Sequence, residues 1–331
     1  MLAVRQSLTA LGGGRAADGA RQRRRPLMML ESVFLKLDPE IESALATNKP
    51  VVALESTVIA HGLPRPQNLE TAQRLEQIVR EESVTPATIA VLNGNLRIGL
   101  DKTQLQHLAN GDDIKKISTH DLAVAVARSW DGATTVAATM WIAHRAGIKV
   151  FATGGIGGVH RGSLPDVSAD LPEIGRTPMI VVCSGAKIVL DFAATREWLE
   201  TYGVTVIGYQ CDEMPAFYST RSGSSIDVRC DSAHEVVQIF RAQTELETLT
   251  ALLVTVPVPT QAEVPREFLD EILDESLRDA QMSRISGRDL TPFLLARMAE
   301  RSEGATLRAN IALLENNARV AAQIARALNS L

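Results

Sequence analysis

Apolar stretches alternate with segments of helical periodicity along most of this chain. Pro50 to Thr57 is an apolar run that predicts a strand, and Pro66 to Glu82 repeats apolar residues at the spacing of one helix face. Further extended segments are predicted at Ala87–Leu92, Leu96–Leu100, Lys116–Ser118, Val150–Gly154, Met179–Cys183, Val204–Gly208 and Leu252–Val256. Helices are predicted at Thr134–Ala146, at Ile188–Tyr202 and over most of Gln261–Leu331. The order of these elements is that of an α/β protein.

Two of the predicted strands, Val51 to Leu54 and Ile180 to Cys183, are apolar at every position. Continuous apolar strands are typical of a parallel sheet that is covered on both faces. We therefore expect a three-layer α/β/α sandwich with a mostly parallel central sheet and a helical C-terminal region that caps the sheet or forms a subunit contact. Because no low-complexity linker or repeat follows Leu30, residues 30–331 are expected to form one domain.

Residues 1–28 differ in composition from the rest of the chain. Six arginines stand against a single acid, Asp18, and three consecutive glycines lie among them. Such a leader is expected to be disordered or cleaved, and it resembles a mitochondrial transit peptide. Met28 or Met29 would serve equally well as the true start of a bacterial protein, in which case the leader is an upstream extension of the gene model. The predicted location is the cytoplasm, with the mitochondrion as the alternative if the leader directs import.

The composition excludes several classes of protein. The chain has 331 residues, of which 45% are hydrophobic and 22% charged, as expected for a soluble globular protein. Its net charge of -5 argues against a broad nucleic-acid surface but does not exclude a local basic pocket for one phosphate. No stretch reaches the roughly 18 apolar residues of a membrane helix. Cys183, Cys211 and Cys230 lack the number and spacing of a disulfide framework or a zinc cluster.

Lys187 is the candidate nucleophile. It follows the apolar run at Met179–Cys183 and the turn at Ser184–Ala186, and it precedes the predicted helix. The positive end of a helix dipole disfavours an ammonium and favours the free amine that attacks carbonyl carbon. A lysine in a first helical turn is also commonly a solvated surface residue, so position alone leaves both interpretations open.

The glycine cluster from Gly154 to Gly162 follows a predicted strand, which raises the possibility of a dinucleotide site. His160 stands where the third glycine of the G-x-G-x-x-G fingerprint would be required, so the fingerprint fails. No Walker A sequence is present. The cluster is either a structural turn or a loop whose backbone N–H groups approach a phosphate, with His160 and Arg161 as additional donors.

Carboxylates supply two further candidates. Asp166 and Asp170 are four residues apart at a predicted helix start, where Ser168 could be the N-cap. The same carboxylates would also suit Mg²⁺ or Mn²⁺. Glu55 follows the first predicted strand, and active sites of open α/β sheets lie at such strand ends, so it is a general-acid candidate. His61 follows shortly after Glu55 and either lies at the same edge of the active site or has a structural role.

Taken together, these segments resemble the pseudouridine-5'-phosphate glycosidase family, also called the indigoidine synthase A-like family, from about residue 36 to the C-terminus. The segments that carry the resemblance are Ala53–Thr57, His61–Gly62, Pro66–Asn68, Gly132–Val136, Phe151–Gly162, Ser168–Asp170, Ser184–Lys187 and Gly208–Gln210. So many blocks in the same order are specific, although each block alone is not. Two positions depart from the family pattern: Val256 where Asn is more common, and Cys211 where Thr is common.

The resemblance implies an α/β/α homotrimer that reversibly cleaves the C–C glycosidic bond of pseudouridine 5'-phosphate, giving uracil and ribose 5-phosphate, with Mn²⁺ or a similar divalent cation. It implies that Lys187 is the covalent nucleophile, Glu55 the proton donor and Asp166 the metal ligand. The substrate-binding positions that it implies are Lys116, Val136, Ser168, Ala169 and Asp170. Neither nucleic acid nor a membrane is implied as a partner.

The substrate phosphate is a dianion and requires several hydrogen-bond donors. Lys116, His160 with the glycine loop, and Asn310 are the candidates. Two other functions would use the same residues. A Schiff-base aldolase acting on a sugar phosphate would need Lys187 and a phosphate loop but no divalent ion. A phosphosugar-binding or pigment-pathway accessory protein would keep the pocket without forming a covalent adduct.

Overall fold

A sheet in which most neighbouring strands run parallel organises the chain. The structure is a computed structural model that describes residues 33–161 and 166–330. Its strands, in chain order, are β1 Leu35–Leu37, β2 Val51–Leu54, β3 Thr85–Leu92, β4 Asn95–Ile98, β5 Lys115–Ile117, β6 Gly132–Thr134, β7 Val150–Ala152, β8 Val159–His160, β9 Ile180–Cys183, β10 Leu190–Asp191, β11 Thr205–Tyr209, β12 Val228–Cys230 and β13 Leu252–Thr255.

Helices follow most of these strands. They are α1 Pro39–Ala46, α2 Gln67–Glu81, α3 Lys102–Asn110, α4 Leu122–Ala127, α5 Val136–Arg145, α6 Asp170–Ile174, α7 Phe192–Thr201, α8 Ala233–Glu245, α9 Arg266–Met282, α10 Leu290–Arg301 and α11 Ala305–Ser330. A π-helical turn spans Val58–Gly62, and 3₁₀ turns span Thr119–Asp121, Thr260–Ala262 and Gly287–Asp289.

The long path of the sheet has the strand order β1-β4-β3-β2-β7-β9-β13-β11-β12. Every pairing from β3 to β12 along this path is parallel, whereas β3 pairs antiparallel with β4 and with β6. β2, β9 and β13 are buried at all positions, as their continuous apolar character predicts. Helix α11 packs on β2, β7 and β9 between α2 and α8, while α5 packs on β2 and β3 and α7 on β11. The predicted α/β class and mostly parallel sheet are confirmed.

Several predicted boundaries need correction. The strand predicted at Pro50–Thr57 ends at Leu54, and the helix predicted from Thr134 begins at Val136 because β6 occupies Gly132–Thr134. The apolar small residues of this segment fit a buried strand and a buried helix equally well, so periodicity alone could not separate the two elements. The predicted helical C-terminal region is confirmed over the described residues, and its last helix covers the sheet.

The helix predicted at Ile188–Tyr202 begins only at Phe192. Asp191 is its N-cap, and the carboxylate of Asp191 accepts a hydrogen bond from the Ala194 N–H at 2.9 Å. The preceding residues form a turn and strand β10, which pairs with β8. Lys187 therefore lies outside the helix, and the dipole effect predicted for it is wrong because that effect fades beyond the first turn.

Among the described residues, no helix combines the length and apolar character that crossing a membrane requires. Residues 1–28, which carry the predicted leader, and Gly162, which ends the glycine cluster, lie outside the described residues.

Candidate active site

A cavity of about 430 Å³ opens at the carboxyl ends of the parallel strands. Glu55 follows β2, and the turn that ends in Lys187 follows β9, so both side chains reach the same edge of the sheet. The structure places ten of the sequence-predicted site residues on the wall of this cavity: Glu55, Lys116, Val136, His160, Asp166, Ser168, Ala169, Asp170, Lys187 and Asn310. Arg161, the other predicted phosphate donor, does not line the cavity, and its Nε donates to the Leu190 carbonyl at 3.2 Å. His61 also lines it.

Glu55 is a buried carboxyl group, with 8% of the residue exposed. The hydroxyl of Thr153, just beyond β7, donates a hydrogen bond to it. Burial raises the pKa of Glu55, and the negative charge of Asp170 adds to this, while Lys187, the Thr153 hydroxyl and Lys116 oppose the rise. A carboxyl group with a raised pKa retains its proton closer to neutral pH, as a proton donor requires.

Lys187 is held by the backbone of the glycine loop. Its N–H donates to the Ile156 carbonyl at 3.1 Å, and Ala186 bridges to Ile156 in parallel. The turn before it requires glycine at position 185, where φ is +78° and a Cβ atom would lie 2.2 Å from the Pro215 carbonyl oxygen. The lysine is half-buried and its side chain lines the cavity. A tight turn, and not a helix, therefore positions the amine.

Lys116 belongs to β5 and lines the same cavity. Its ammonium nitrogen donates to the Arg288 carbonyl at 3.0 Å, which ties β5 to the 3₁₀ turn before α10. Burial and the positive charge of Lys187 lower the pKa of Lys116, while Asp170 and Glu55 oppose this. Two lysines and two carboxylates thus lie within electrostatic reach of one another.

Asp170 organises the backbone around the cavity. One carboxylate oxygen accepts from the Ala137 N–H at 3.0 Å, in the first turn of α5, and the other accepts from the Gly157 N–H at 2.8 Å. The Ser168 hydroxyl accepts from the Asp170 N–H at 3.2 Å. Ser168 is not the N-cap that the sequence predicts, since Ala169 occupies the cap position by its backbone. Asp170 therefore joins the glycine loop to α5.

Val136, His160 and Asn310 reach the cavity from three different elements. Val136 is the first residue of α5, and His160 lies in β8. Burial and the charges of Lys116 and Lys187 lower the pKa of His160, against the influence of Asp166. Asn310 of α11 is 5% exposed, and its amide makes no hydrogen bond with another described residue, so its donor and acceptor are available to a ligand.

Asp166 is suited to hold a divalent cation only as a single protein carboxylate. It is exposed at the rim, and no described residue donates a hydrogen bond to its carboxylate. Among the described residues, no group of three or more His, Cys, Asp or Glu side chains is placed to hold a metal ion. One carboxylate suits an ion that keeps most of its water or takes ligands from a substrate, as Mg²⁺ and Mn²⁺ commonly do. The buried Asp170 is engaged by backbone N–H groups, so the two acids do not form an equivalent pair.

Sequence reasoning missed Thr153, Phe217, His120 and Arg288. Phe217, Arg288 and His120 line the cavity, and Phe217 has φ of +65°, which is uncommon for a bulky residue. Its N–H donates to the Ser184 carbonyl at 3.0 Å. These residues carry no motif, and only the tertiary structure brings Thr153 to Glu55 and the other three to the cavity wall. Val256 and Cys211 do not line the cavity, so the departures from the family pattern lie outside its wall.

Comparison with known proteins shows which family this chain is similar to. A family model described as "Indigoidine synthase A like protein" matches residues 40–327. The chain is 47% identical over 298 residues to pseudouridine-5'-phosphate glycosidase of Geobacillus kaustophilus, covering 89% of this chain and 99% of that protein. It is 50% identical over 281 residues to the protein of the same name from Kosmotoga olearia, covering 85% of this chain and 97% of that protein.

Two solved structures share the fold. The prealnumycin C-glycosynthase AlnA in complex with ribulose 5-phosphate matches with a TM-score of 0.82 and 38% identity, over 90% of this chain and 97% of that one. An indigoidine synthase A-like protein from Thermotoga maritima matches with a TM-score of 0.82 and 37% identity, over 89% and 97% of the two chains. The chain therefore belongs to the indigoidine synthase A-like family.

Proposed function

We propose that this protein is a pseudouridine-5'-phosphate glycosidase, which reversibly cleaves the C–C glycosidic bond to give uracil and ribose 5-phosphate. The observation that carries the proposal is the meeting of a buried carboxyl, Glu55, and a lysine amine, Lys187, in one cavity lined by phosphate-type donors. The names of the relatives support the substrate, and the sugar phosphate bound by the C-glycosynthase supports the class of ligand.

The chemistry explains why a lysine is needed. A C–C bond to uracil has no heteroatom leaving group, so the sugar must first become an electron sink. In the proposed reaction the ribose ring opens by cleavage of the bond between C1 and the ring oxygen, the neutral amine of Lys187 bonds to C1, and the proton that the amine loses passes to the ring oxygen, which becomes a hydroxyl group. The bond between C1 of the sugar and C5 of uracil then breaks. Its electron pair passes to the uracil carbon, while the nitrogen lone pair forms an imine with C1. Water hydrolyses this imine and releases ribose 5-phosphate and the free lysine.

Glu55 supplies the proton that uracil requires. When the C–C bond breaks, the uracil carbon takes its electron pair, and the Glu55 carboxyl protonates that carbon. The burial that raises the pKa of Glu55 keeps the proton available, and the hydrogen bond from Thr153 fixes the direction of the carboxyl group. The two-carboxylate mechanism of ordinary glycosidases would not break this bond, because it depends on protonating a leaving heteroatom.

Lys116, His160 and the backbone N–H groups of the glycine loop are proposed to bind the phosphate, with Ser168, Ala169 and Asp170 shaping the same wall. Asn310 is proposed to bind the substrate with its free amide. Asp166 would hold the Mn²⁺ or similar cation, which supplies positive charge near the reacting sugar and base when bound. We further propose a homotrimer on the basis of the family resemblance, and a cytoplasmic location because the three cysteines lack the pattern of a disulfide framework.

Uracil release from pseudouridine 5'-phosphate, measured with and without Mn²⁺, tests the proposal. We expect turnover that depends on the cation, and a covalent adduct on Lys187 when ribose 5-phosphate is trapped with borohydride. Full turnover after chelation, together with cleavage of a sugar phosphate into two carbonyl fragments, would favour the Schiff-base aldolase. Absence of both turnover and adduct would favour a non-catalytic phosphosugar-binding protein.

A further inference from the structure

A fully buried asparagine lies directly beneath the candidate active site. Asn317 of α11 has no exposed surface. Its amide nitrogen donates to the Thr153 carbonyl at 2.9 Å and to the Gly154 carbonyl at 3.3 Å. The Ser184 hydroxyl lies 3.2 Å from its amide oxygen and 3.1 Å from its amide nitrogen. The side chain thus bridges the ends of β7 and β9.

Two partners of Asn317 are linked directly to the proposed reacting groups, one by a hydrogen bond and the other by a turn of the chain. Thr153 donates its hydroxyl hydrogen bond to Glu55. Ser184 begins the turn that carries Lys187, and its own N–H donates to the Gly154 carbonyl at 2.9 Å. The amide therefore connects the strand that orients the acid with the strand that carries the amine. Asn317 itself does not line the cavity and does not touch a ligand there.

We propose that Asn317 is a positioning residue that sets the distance between the Glu55 carboxyl and the Lys187 amine. The inference rests on the proposed function of those two groups. Proton transfer and C–C cleavage require both groups at the same sugar–uracil bond, and a misplacement of about 1 Å can reduce a rate by about 100-fold. A bridge across two strand ends limits such displacement, because the buried amide satisfies both ends at once.

A purely structural role is the competing interpretation, and the neighbouring residue separates the two. Asn316 lies next to Asn317 on α11, and its amide donates to the Pro257 carbonyl at 3.3 Å, away from both reacting groups. Asn316→Leu removes a side-chain-to-backbone hydrogen bond from the same helix without disturbing Thr153 or Ser184. It controls for the loss of a hydrogen bond from α11, and thermal unfolding measures the additional cost of changing Asn317, which is fully buried while Asn316 is partly buried.

The experiment compares the full-length protein with both variants in three assays: uracil release across pH, borohydride trapping with ribose 5-phosphate, and thermal unfolding. We expect Asn317→Leu to lose about 100-fold in kcat with little change in KM. We expect slower trapping as well, while Asn316→Leu stays close to the native protein in both assays. Equal losses in the two variants would overturn the proposal. A native protein that releases no uracil would instead refute the proposed function.

The pH dependence of uracil release is a measurement that a purely structural role of Asn317 would not change. The charges that face Glu55 are Lys187, Asp170 and Lys116, and the Thr153 hydrogen bond favours its ionised form. Loosening Thr153 should move the alkaline limb of uracil release to higher pH in Asn317→Leu, as Thr153→Val should by itself. An alkaline limb that stays in place in Asn317→Leu would contradict the inference.

Variants that remove one partner of Asn317 at a time test the proposal if Asn317→Leu does not fold. Thr153→Val should shift the pH profile of cleavage and leave trapping on Lys187 unchanged. Ser184→Ala should slow trapping and leave the pH limb unchanged. If neither variant moves its own reading, the two strand ends are not coupled to the chemistry and the proposal is wrong.

Discussion

The inner wall and the outer rim of the cavity are built differently. On the inner wall, Glu55 and Asp170 are buried and hydrogen-bonded by groups far away in sequence. On the rim, Asp166 and Arg288 are exposed, and the contacts of Arg288 to His120 and Asp121 are long, at 3.4 Å and 3.6 Å. Buried groups in fixed positions suit covalent chemistry and proton transfer, whereas exposed charges are free to meet a phosphate or a hydrated cation.

The largest expected effect is on the inner wall. Lys187→Ala should reduce uracil release by at least about 10⁴-fold, since loss of a covalent nucleophile removes the reaction path. Its half-buried position at the cavity predicts little change in thermal stability. Steady-state kinetics and thermal unfolding check this, with the exposed Lys102→Ala as control. Retention of most activity would remove Lys187 from the mechanism.

The second effect concerns the acid. Glu55→Gln should lose about 10² to 10⁴-fold in C–C cleavage, because the amide is of similar size but is too weak an acid to transfer a proton. Adduct formation with ribose 5-phosphate should persist. In the native protein the raised pKa of Glu55 means that the donor is lost as pH rises through that pKa, so the rate should fall on the alkaline side. Normal cleavage by the variant at any pH would exclude Glu55 as the donor.

At the rim, removing the proposed metal ligand should have a moderate effect. Asp166→Asn should raise the Mn²⁺ concentration for half-maximal activity by roughly 10 to 100-fold, the range seen when groups that support a metal are replaced. Excess Mn²⁺ should restore much of the rate, because the inner wall is unchanged. Titration of activity with Mn²⁺ measures this, and an unchanged titration would place the cation elsewhere.

The smallest expected effect also lies at the rim. Arg288 is exposed and lines the cavity, so it is a further candidate to bind the phosphate. Arg288→Gln should then raise KM for pseudouridine 5'-phosphate by about 10-fold, in line with the loss of one exposed hydrogen bond to a charged group. Turnover of unphosphorylated pseudouridine should stay as it is. The exposed Arg278→Gln is the control. Equal effects on both substrates would assign Arg288 to the loop structure and not to phosphate recognition.

Local sequence and tertiary contacts contributed differently to these assignments. Glu55 was found because an acid directly after an apolar strand is expensive unless it lies in a cleft, and the structure places it there. Lys187 was found for a partly wrong reason, since the pattern from Ile188 onward reads as helix while the chain makes a turn and the short strand β10 first. The pairing of β10 with β8 is a non-local contact that periodicity does not contain.

The sequence by itself determined the α/β class, the family and the residue types that the chemistry requires, because burial of apolar strands and strand-end acids leave a local pattern. Only the tertiary structure decided which side chains meet. Three hydrogen bonds show this: Thr153 to Glu55, Asn317 to Thr153, and Lys116 to the Arg288 carbonyl. They join positions that are 98, 164 and 172 residues apart. Such contacts depend on how parallel strands and the last helix are arranged in space, and no local spacing encodes that arrangement.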